Sequence, residues 1–210
     1  MSQSEFFNRQ SAILAPLFVL SGPSGVGKTT VVEEAIRAVR YPLRRAVTAT
    51  TRPPRPGERP EVDYHFWSVE RFVDALDRGE MLEHAVVFGR DYYGTPRAEV
   101  DPYRSAGVGV ILVIDVQGAA QVRAKYPGDH RSIFLQVPSL AELERRLRAR
   151  GTEDEARLAR RLDTAERDLA RAGEFADRVM NDTVPNAVRA LTQIINDEFQ
   201  ARGYEPCLTS

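Results

Sequence analysis

The run Gly22-Pro23-Ser24-Gly25-Val26-Gly27-Lys28-Thr29-Thr30 carries the strongest chemical signal in the chain. Small residues let successive backbone N–H groups turn inward on phosphate oxygens, and the N-terminus of a following helix adds the positive end of its dipole. Gly22, Gly27, Lys28 and Thr29 satisfy the spacing GxxxxGK(S/T). In that pattern Lys28 would bridge the β- and γ-phosphates of a nucleoside triphosphate, and the Thr29 hydroxyl would reach Mg²⁺. The alternative is a chance glycine turn.

A second cluster, Thr48-Ala-Thr-Thr-Arg52-Pro-Pro-Arg55-Pro-Gly-Glu58, puts two guanidiniums three residues apart on a proline-stiffened loop. A planar fork held there can grip a phosphate bidentately with little ordering cost. Alone, the same residues would equally make a solvated basic turn.

The elements that must position these groups follow from periodicity. Leu17-Phe-Val-Leu20 is a short apolar run closed by the glycine turn, which predicts a strand buried on both faces. Val32, Ile36 and Val39 then form a helical stripe. Further buried strands are expected at Val108 to Ile114, ending on Asp115, and at Ile133 to Val137. Strands separated by helices predict an α/β fold with a parallel sheet flanked by helices. Ser139-Leu-Ala-Glu142 has capping-box spacing, Leu140, Leu143 and Leu147 continue the stripe, and Gly151 ends it. Thr152 to Glu155 opens a second helix through Leu158, Leu162 and Leu169, and Val188, Leu191 and Ile195 mark a last one. The prolines after Arg52 forbid regular helix, while Glu80 to Phe88 and Tyr92 to Thr95 read as strands of a separate small sheet. The expected organisation is a leader over 1–16, a core over 17–47, 96–139 and 170–210, an inserted subdomain over 48–95, and a helical lid over 140–169.

Composition narrows the class. A chain of 210 residues holds one well-cored domain, and a net charge of -1 excludes a general nucleic-acid or membrane-surface binder. No apolar run is long enough to span a bilayer. The single cysteine, Cys207, rules out a disulfide framework and fits a cytoplasmic protein. Oligomeric state is left open.

Several motifs, in order, make the chain resemble the guanylate kinase family from about residue 17 to 182. They are the Gly22 to Thr30 loop, Thr48 to Glu58, Asp63-Tyr64-His-Phe66, Gly79-Glu-Met-Leu-Glu83, Tyr92-Tyr93-Gly94-Thr95, Ile114-Asp115-Val-Gln-Gly118 and Arg150-Gly-Thr-Glu153. The resemblance implies a P-loop fold that transfers the γ-phosphoryl group of ATP to GMP with Mg²⁺. It also implies that Arg52, Arg55, Tyr64 and Tyr93 hold the GMP phosphate beside Glu58, while Thr48, Glu83, Thr95 and Asp115 read guanine. That pairing makes chemical sense, because guanine offers N1 and N2 donors to carboxylates and an O6 acceptor to a hydroxyl. Lys28, Arg52, Arg146, Arg150 and Arg161 would carry the transferring charge, and Asn181 would sit near the adenine.

Asp115 has two possible duties, since an acid closing such a strand often orients Mg²⁺ water. The acid common two residues earlier in the family is Val113 here. Arg90-Asp91 stands where one residue is usual, which a strand bulge could absorb, and Arg59-Pro-Glu-Val62 replaces a stretch that usually contains glycine. Two other functions remain open at this stage. One is a sugar-phosphate kinase acting on ribose 1,5-bisphosphate, and the other is a non-catalytic guanylate-kinase-like binding module.

Overall fold

The structure, a computed structural model, describes residues 14–87, 90–149 and 155–207. The first half of the chain runs β1 (Leu17–Ser21), α1 (Lys28–Ala38), β2 (Leu43–Arg45), β3 (Ala49–Thr50), β4 (His65–Phe66), α2 (Val69–Asp77), β5 (Met81–Val87) and β6 (Asp91–Pro96). After a 3-10 turn at Arg97–Glu99 come α3 (Asp101–Ser105), β7 (Gly109–Val113), α4 (Val116–Lys125) and β8 (Arg131–Gln136). The helices α5 (Leu140–Ala149) and α6 (Glu155–Ala170), a 3-10 turn at Ala172–Glu174, β9 (Asp177–Met180) and α7 (Val184–Ala201) complete it.

Five parallel strands form the core sheet in the order β2-β7-β1-β8-β9. Period-2 alternation divides their side chains between two cores. Phe18, Leu20, Ile111, Ile133 and Leu135 face a cluster built with α1, α5, α6 and α7. Leu17, Val19, Val110, Leu112 and Phe134 face the other, with Val116, Ala119 and Val122 of α4. Burial on both sides explains the unbroken apolar runs. Ala15, inside the stretch read as a leader, is buried and donates its N–H to the Arg104 carbonyl.

A second, mixed sheet has the order β4-β3-β6-β5. Phe72 and Ala75 of α2 cover it together with Met81 and Ala49. That helix was not anticipated, although Ser68 caps it by accepting from the Arg71 N–H at 3.2 Å. The extra residue before Tyr93 is not absorbed by a bulge in the paired strands: Glu83 to Val87 oppose Thr95 to Asp91 in unbroken register. The irregularity lies upstream, between Met81 and Glu83. Asp115 does not end a strand either. β7 stops at Val113, and Asp115 is the N-cap of α4, its Oδ1 accepting from Gly118 N–H at 2.8 Å.

α7 is clamped by Phe199, which stacks on Tyr41 at 4.6 Å and meets Phe18 at 6.1 Å and Tyr204 at 5.5 Å between ring centroids. Truncating it leaves a ring-sized void that close packing cannot fill, so Phe199→Ala is expected to cost about 3–5 kcal/mol. Urea unfolding of the variant and the parent chain measures it.

Candidate active site

β1 delivers the glycine loop to the C-terminal edge of the core sheet, and α1 begins at Lys28. Gly22, Gly25 and Gly27 all take positive φ, which turns the loop's backbone inward. Lys28 Nζ donates to the carbonyls of Gly22 at 2.6 Å and Pro23 at 3.0 Å. The ammonium therefore lies across the loop mouth. Ser24, Thr29 and Thr30 are exposed beside it, and the Thr29 hydroxyl has no hydrogen bond among the described residues. Val26 is buried under the loop, and its carbonyl accepts from Asn181 Nδ2 at 2.7 Å. Asn181 is only 2% exposed, so it meets the phosphate loop from beneath.

The second sheet and its adjoining loop bring together Arg52, Glu58, Tyr64 and Tyr93. Arg52, 7% exposed, donates from Nε to the Tyr93 hydroxyl at 2.8 Å and from both terminal nitrogens to Glu58 at 2.7 Å. The Arg55 N–H donates to the same Glu58 carboxylate, while the Arg55 side chain is exposed. Arg52 lies 4.9 Å over the Tyr64 ring, which meets Tyr93 edge-on at 6.0 Å. The hydrogen bonds between Arg52 and Glu58 push the guanidinium up and hold the carboxyl below its usual range, and burial pushes the Tyr64 phenol up.

Glu83 sits opposite Thr95 across β5 and β6, 3% exposed, accepting from the Thr95 hydroxyl at 2.6 Å. A Cβ at Gly118 would fall 2.3 Å from Glu83 Oε2, so glycine is what lets the first turn of α4 approach this carboxylate. Asp115 is in the same electrostatic neighbourhood. Thr48, half-buried, precedes β3 of the same sheet. Burial, with Asp115 adding to it against the Thr95 hydrogen bond, pushes the Glu83 carboxyl up to about 7.

The arginines of α5 and α6 sort into two kinds. Arg145 and Arg148 pair with Glu142, Glu144 and Glu155 on the solvent side. Arg146, besides pairing with Glu142, donates to the carbonyl of Asn181 at 2.9 Å, the residue whose side chain holds Val26, and Arg161 donates to the Ser24 hydroxyl of the loop itself at 2.8 Å. Gly25 lies directly against Leu147 and Leu143 of α5. Arg150 falls outside the described residues. Sequence reading overlooked Asp168, half-buried on α6 near Lys28 and Asp115. Its only sequence signal is helical spacing, two turns beyond Arg161 on the same face.

The raised Glu83 carboxyl has a thermodynamic sign. The folded chain holds this proton up to about 7, well above the usual 4.5, so the stability it contributes is complete below 4.5 and is lost as pH rises through 7. Glu83→Gln removes that loss. Relative to the parent, the variant should gain on the order of 2–3 kcal/mol between pH 4.5 and 8, read from denaturant titrations at both pH values.

The guanylate kinase family model matches residues 15–198. The guanylate kinase of Thermosynechococcus vestitus is 48% identical over 179 residues, covering 85% of this chain and 92% of that one. That of Frankia casuarinae is 47% identical over 179 residues, covering 85% and 96%. A solved guanylate kinase from Anaplasma phagocytophilum superposes with a TM-score of 0.71 at 29% identity, covering 89% of this chain and 87% of that one. With a phosphate loop, an arginine–tyrosine clamp and a buried carboxylate arranged on two sheets, and with relatives this similar over most of its length, the chain belongs to the guanylate kinase family.

Proposed function

We infer that the chain is an ATP:GMP phosphotransferase, giving ADP and GDP, and that dGMP is also an acceptor. The observation that carries the acceptor assignment is Glu83. A carboxylate buried beside Thr95 and Asp115 is costly unless a ligand brings donors to it, and the N1–H and N2–H of guanine are such donors. Neither adenine nor a sugar bisphosphate offers that pair. Thr48, Thr95 and Asp115 complete the base site in this reading. Arg52, Arg55, Tyr64 and Tyr93 hold the GMP phosphate, with Glu58 orienting Arg52. Residues 48–95 then form the acceptor unit, 140–169 the lid, and the remainder the core.

Catalysis follows from position and charge. A phosphate oxygen of GMP attacks the γ-phosphorus in line, the new P–O bond forms as the bond to the ADP oxygen breaks, and no general base is needed because the nucleophile is already anionic. Lys28, placed by its contacts across the loop mouth, exchanges carbonyl partners for β- and γ-phosphate oxygens. Arg146, Arg150 and Arg161 meet the charge that spreads over the moving group, and lid closure excludes water around it. Asn181 supports the loop on which ATP lies. The open Thr29 hydroxyl fits a hard divalent cation, and Mg²⁺ bound there with the phosphates supplies electrostatic stabilisation of the transferring oxygens. No described helix is long and apolar enough to cross a membrane, and we propose a cytoplasmic location.

ADP release against a panel of GMP, dGMP, AMP, UMP and ribose 1,5-bisphosphate tests the reading, with turnover expected for the first two; equal turnover of AMP or the sugar bisphosphate refutes the base assignment. Lys28→Ala should lose most turnover yet keep GMP affinity in calorimetry. Guanine needs the ionised form of Glu83, whose carboxyl lies at about 7, so KM for GMP should fall as pH rises. Between pH 6 and 8 that component amounts to about tenfold and disappears in Glu83→Gln, as steady-state kinetics at both pH values would show.

A further inference from the structure

Asp168 is a half-buried carboxylate that the assignments above leave unused. The inward face of α6 carries Leu158, Arg161, Ala165 and then Asp168 with Leu169 at helical spacing. Leu158 and Ala165 pack in the cluster that contains Val26 of the phosphate loop, whereas Leu169 packs against the cluster that contains Val116 of α4. Asp168 therefore stands where α6 crosses from the glycine loop to the N-terminus of α4. Those two segments follow β1 and β7, which are neighbours in the sheet, so the residue overlooks the crevice between their C-terminal ends.

The groups around it are Lys28, Arg167 and Arg171 on the positive side and Asp115 on the negative. Arg171 is itself committed to Glu174 at 2.8 Å. Among the described residues the Asp168 carboxylate accepts no hydrogen bond, and burial outweighs Lys28 in pushing its carboxyl up. A partly desolvated carboxylate without donors is unfavourable unless a ligand supplies them. Two other places from which an acid could serve this crevice are already spoken for in whole or in part. Position 113 at the end of β7 is a valine, and Asp115 spends one oxygen on capping α4. Asp168, by contrast, has both Lys28 of the phosphate loop and Asp115 beyond the end of β7 as electrostatic neighbours.

We propose that Asp168 is a cation-positioning residue, its carboxylate accepting hydrogen bonds from water in the shell of the divalent cation that arrives with the nucleoside triphosphate, in place of the acid absent at Val113. Hydrated Mg²⁺ keeps several waters when bound to phosphates, and those waters are strong donors to an outer carboxylate. Because Asp168 rides on α6, lid closure onto Ser24 through Arg161 and placement of the cation are one motion. The proposal rests on the kinase reading above.

The test is ATP binding by calorimetry in Mg²⁺ and in excess chelator, with Mn²⁺ and ATP followed by electron paramagnetic resonance. In Asp168→Asn the affinity gained from Mg²⁺ should shrink by about tenfold or more, and the Mn²⁺ spectrum should change. Metal-free ATP should bind as tightly as to the parent or more so, since a negative charge has been removed, and GMP affinity should stay the same. Asp168→Glu should restore part of the metal-dependent gain. An undiminished Mg²⁺ gain in the asparagine variant, or equal losses with and without metal, overturns the proposal. A parent chain that binds ATP but does not phosphorylate GMP overturns the underlying reading instead.

Discussion

All five core strands run parallel, so the connections after β1, β7 and β8 must open on the same edge of the sheet. That constraint puts the glycine loop, the capped start of α4 and the entry to α5 side by side. The rest of the site is arranged around it. The loop is buried from below by Val26, pinned through the Val26 carbonyl by Asn181, and pressed from the side by Leu143 and Leu147. A phosphate cradle depends on backbone N–H directions, which these contacts fix without using the N–H groups themselves. Asn181 reaches the loop because β9 pairs with β8 in register, so the outermost strand of the sheet supports a loop two strands away.

A protein built to bind two polyanions must also manage its cations before they arrive. Four of the cations singled out for phosphate chemistry have an internal acceptor of matching geometry, whereas the Arg55 side chain is exposed. Lys28 uses loop carbonyls, Arg52 uses Glu58, Arg146 uses Glu142 and the Asn181 carbonyl, and Arg161 uses the Ser24 hydroxyl. Exchange of one acceptor for another costs far less than stripping a bare cation of water, so binding begins from a nearly satisfied state. The arrangement also orients the side chains. A guanidinium with both terminal nitrogens on Glu58, its Nε on Tyr93 and its face on Tyr64 is fixed in place, and a phosphate meeting its fork edge would take over the position that Glu58 now holds.

How much of this was legible depended on whether a signal is local. The glycine loop, β1 and the stripe of α1 announce themselves because spacing alone decides them. Glu83 and Thr95 were identified through family likeness, and their cross-strand pairing supplies the reason that likeness could not. The two-residue strands β3 and β4 carry too few residues for any period to register, and β9 mixes Asp177 and Arg178 with Val179 because it lies at the sheet edge. Helix α2 was missed for a different cause: Ser68 and the Phe72, Ala75 spacing were present, but the surrounding strands drew the whole segment into a sheet reading. Asp115 follows an apolar run and so reads as the end of a strand, while its place ahead of Val116 makes it the N-cap of α4. Asp168 could not be found from sequence, since its meaning comes from what α6 crosses and not from its neighbours in the chain.

The stretch Arg59-Pro-Glu-Val62, which lacks the glycine expected there, shows how a local departure is accommodated. Glu61 takes a φ of 62°, a left-handed conformation that normally favours glycine. Such a position costs of order 1 kcal/mol or more and persists only where other contacts hold it. Here the Glu61 carboxylate lies 2.6 Å from His65 Nδ1, and the opposite ring nitrogen lies 3.0 Å from Glu99 Oε1. Glu99 in turn accepts from Arg44 of β2 at 2.8 Å and from the Val47 N–H at 3.1 Å. A strained turn ahead of β4 is thus tied through one imidazole to the core sheet, near the point where the chain passes from one sheet to the other. The side chain that replaces glycine supplies part of what stabilises its own backbone, and the same carboxylate–imidazole–carboxylate bridge couples the second sheet, through His65 of β4, to Arg44 of the core sheet.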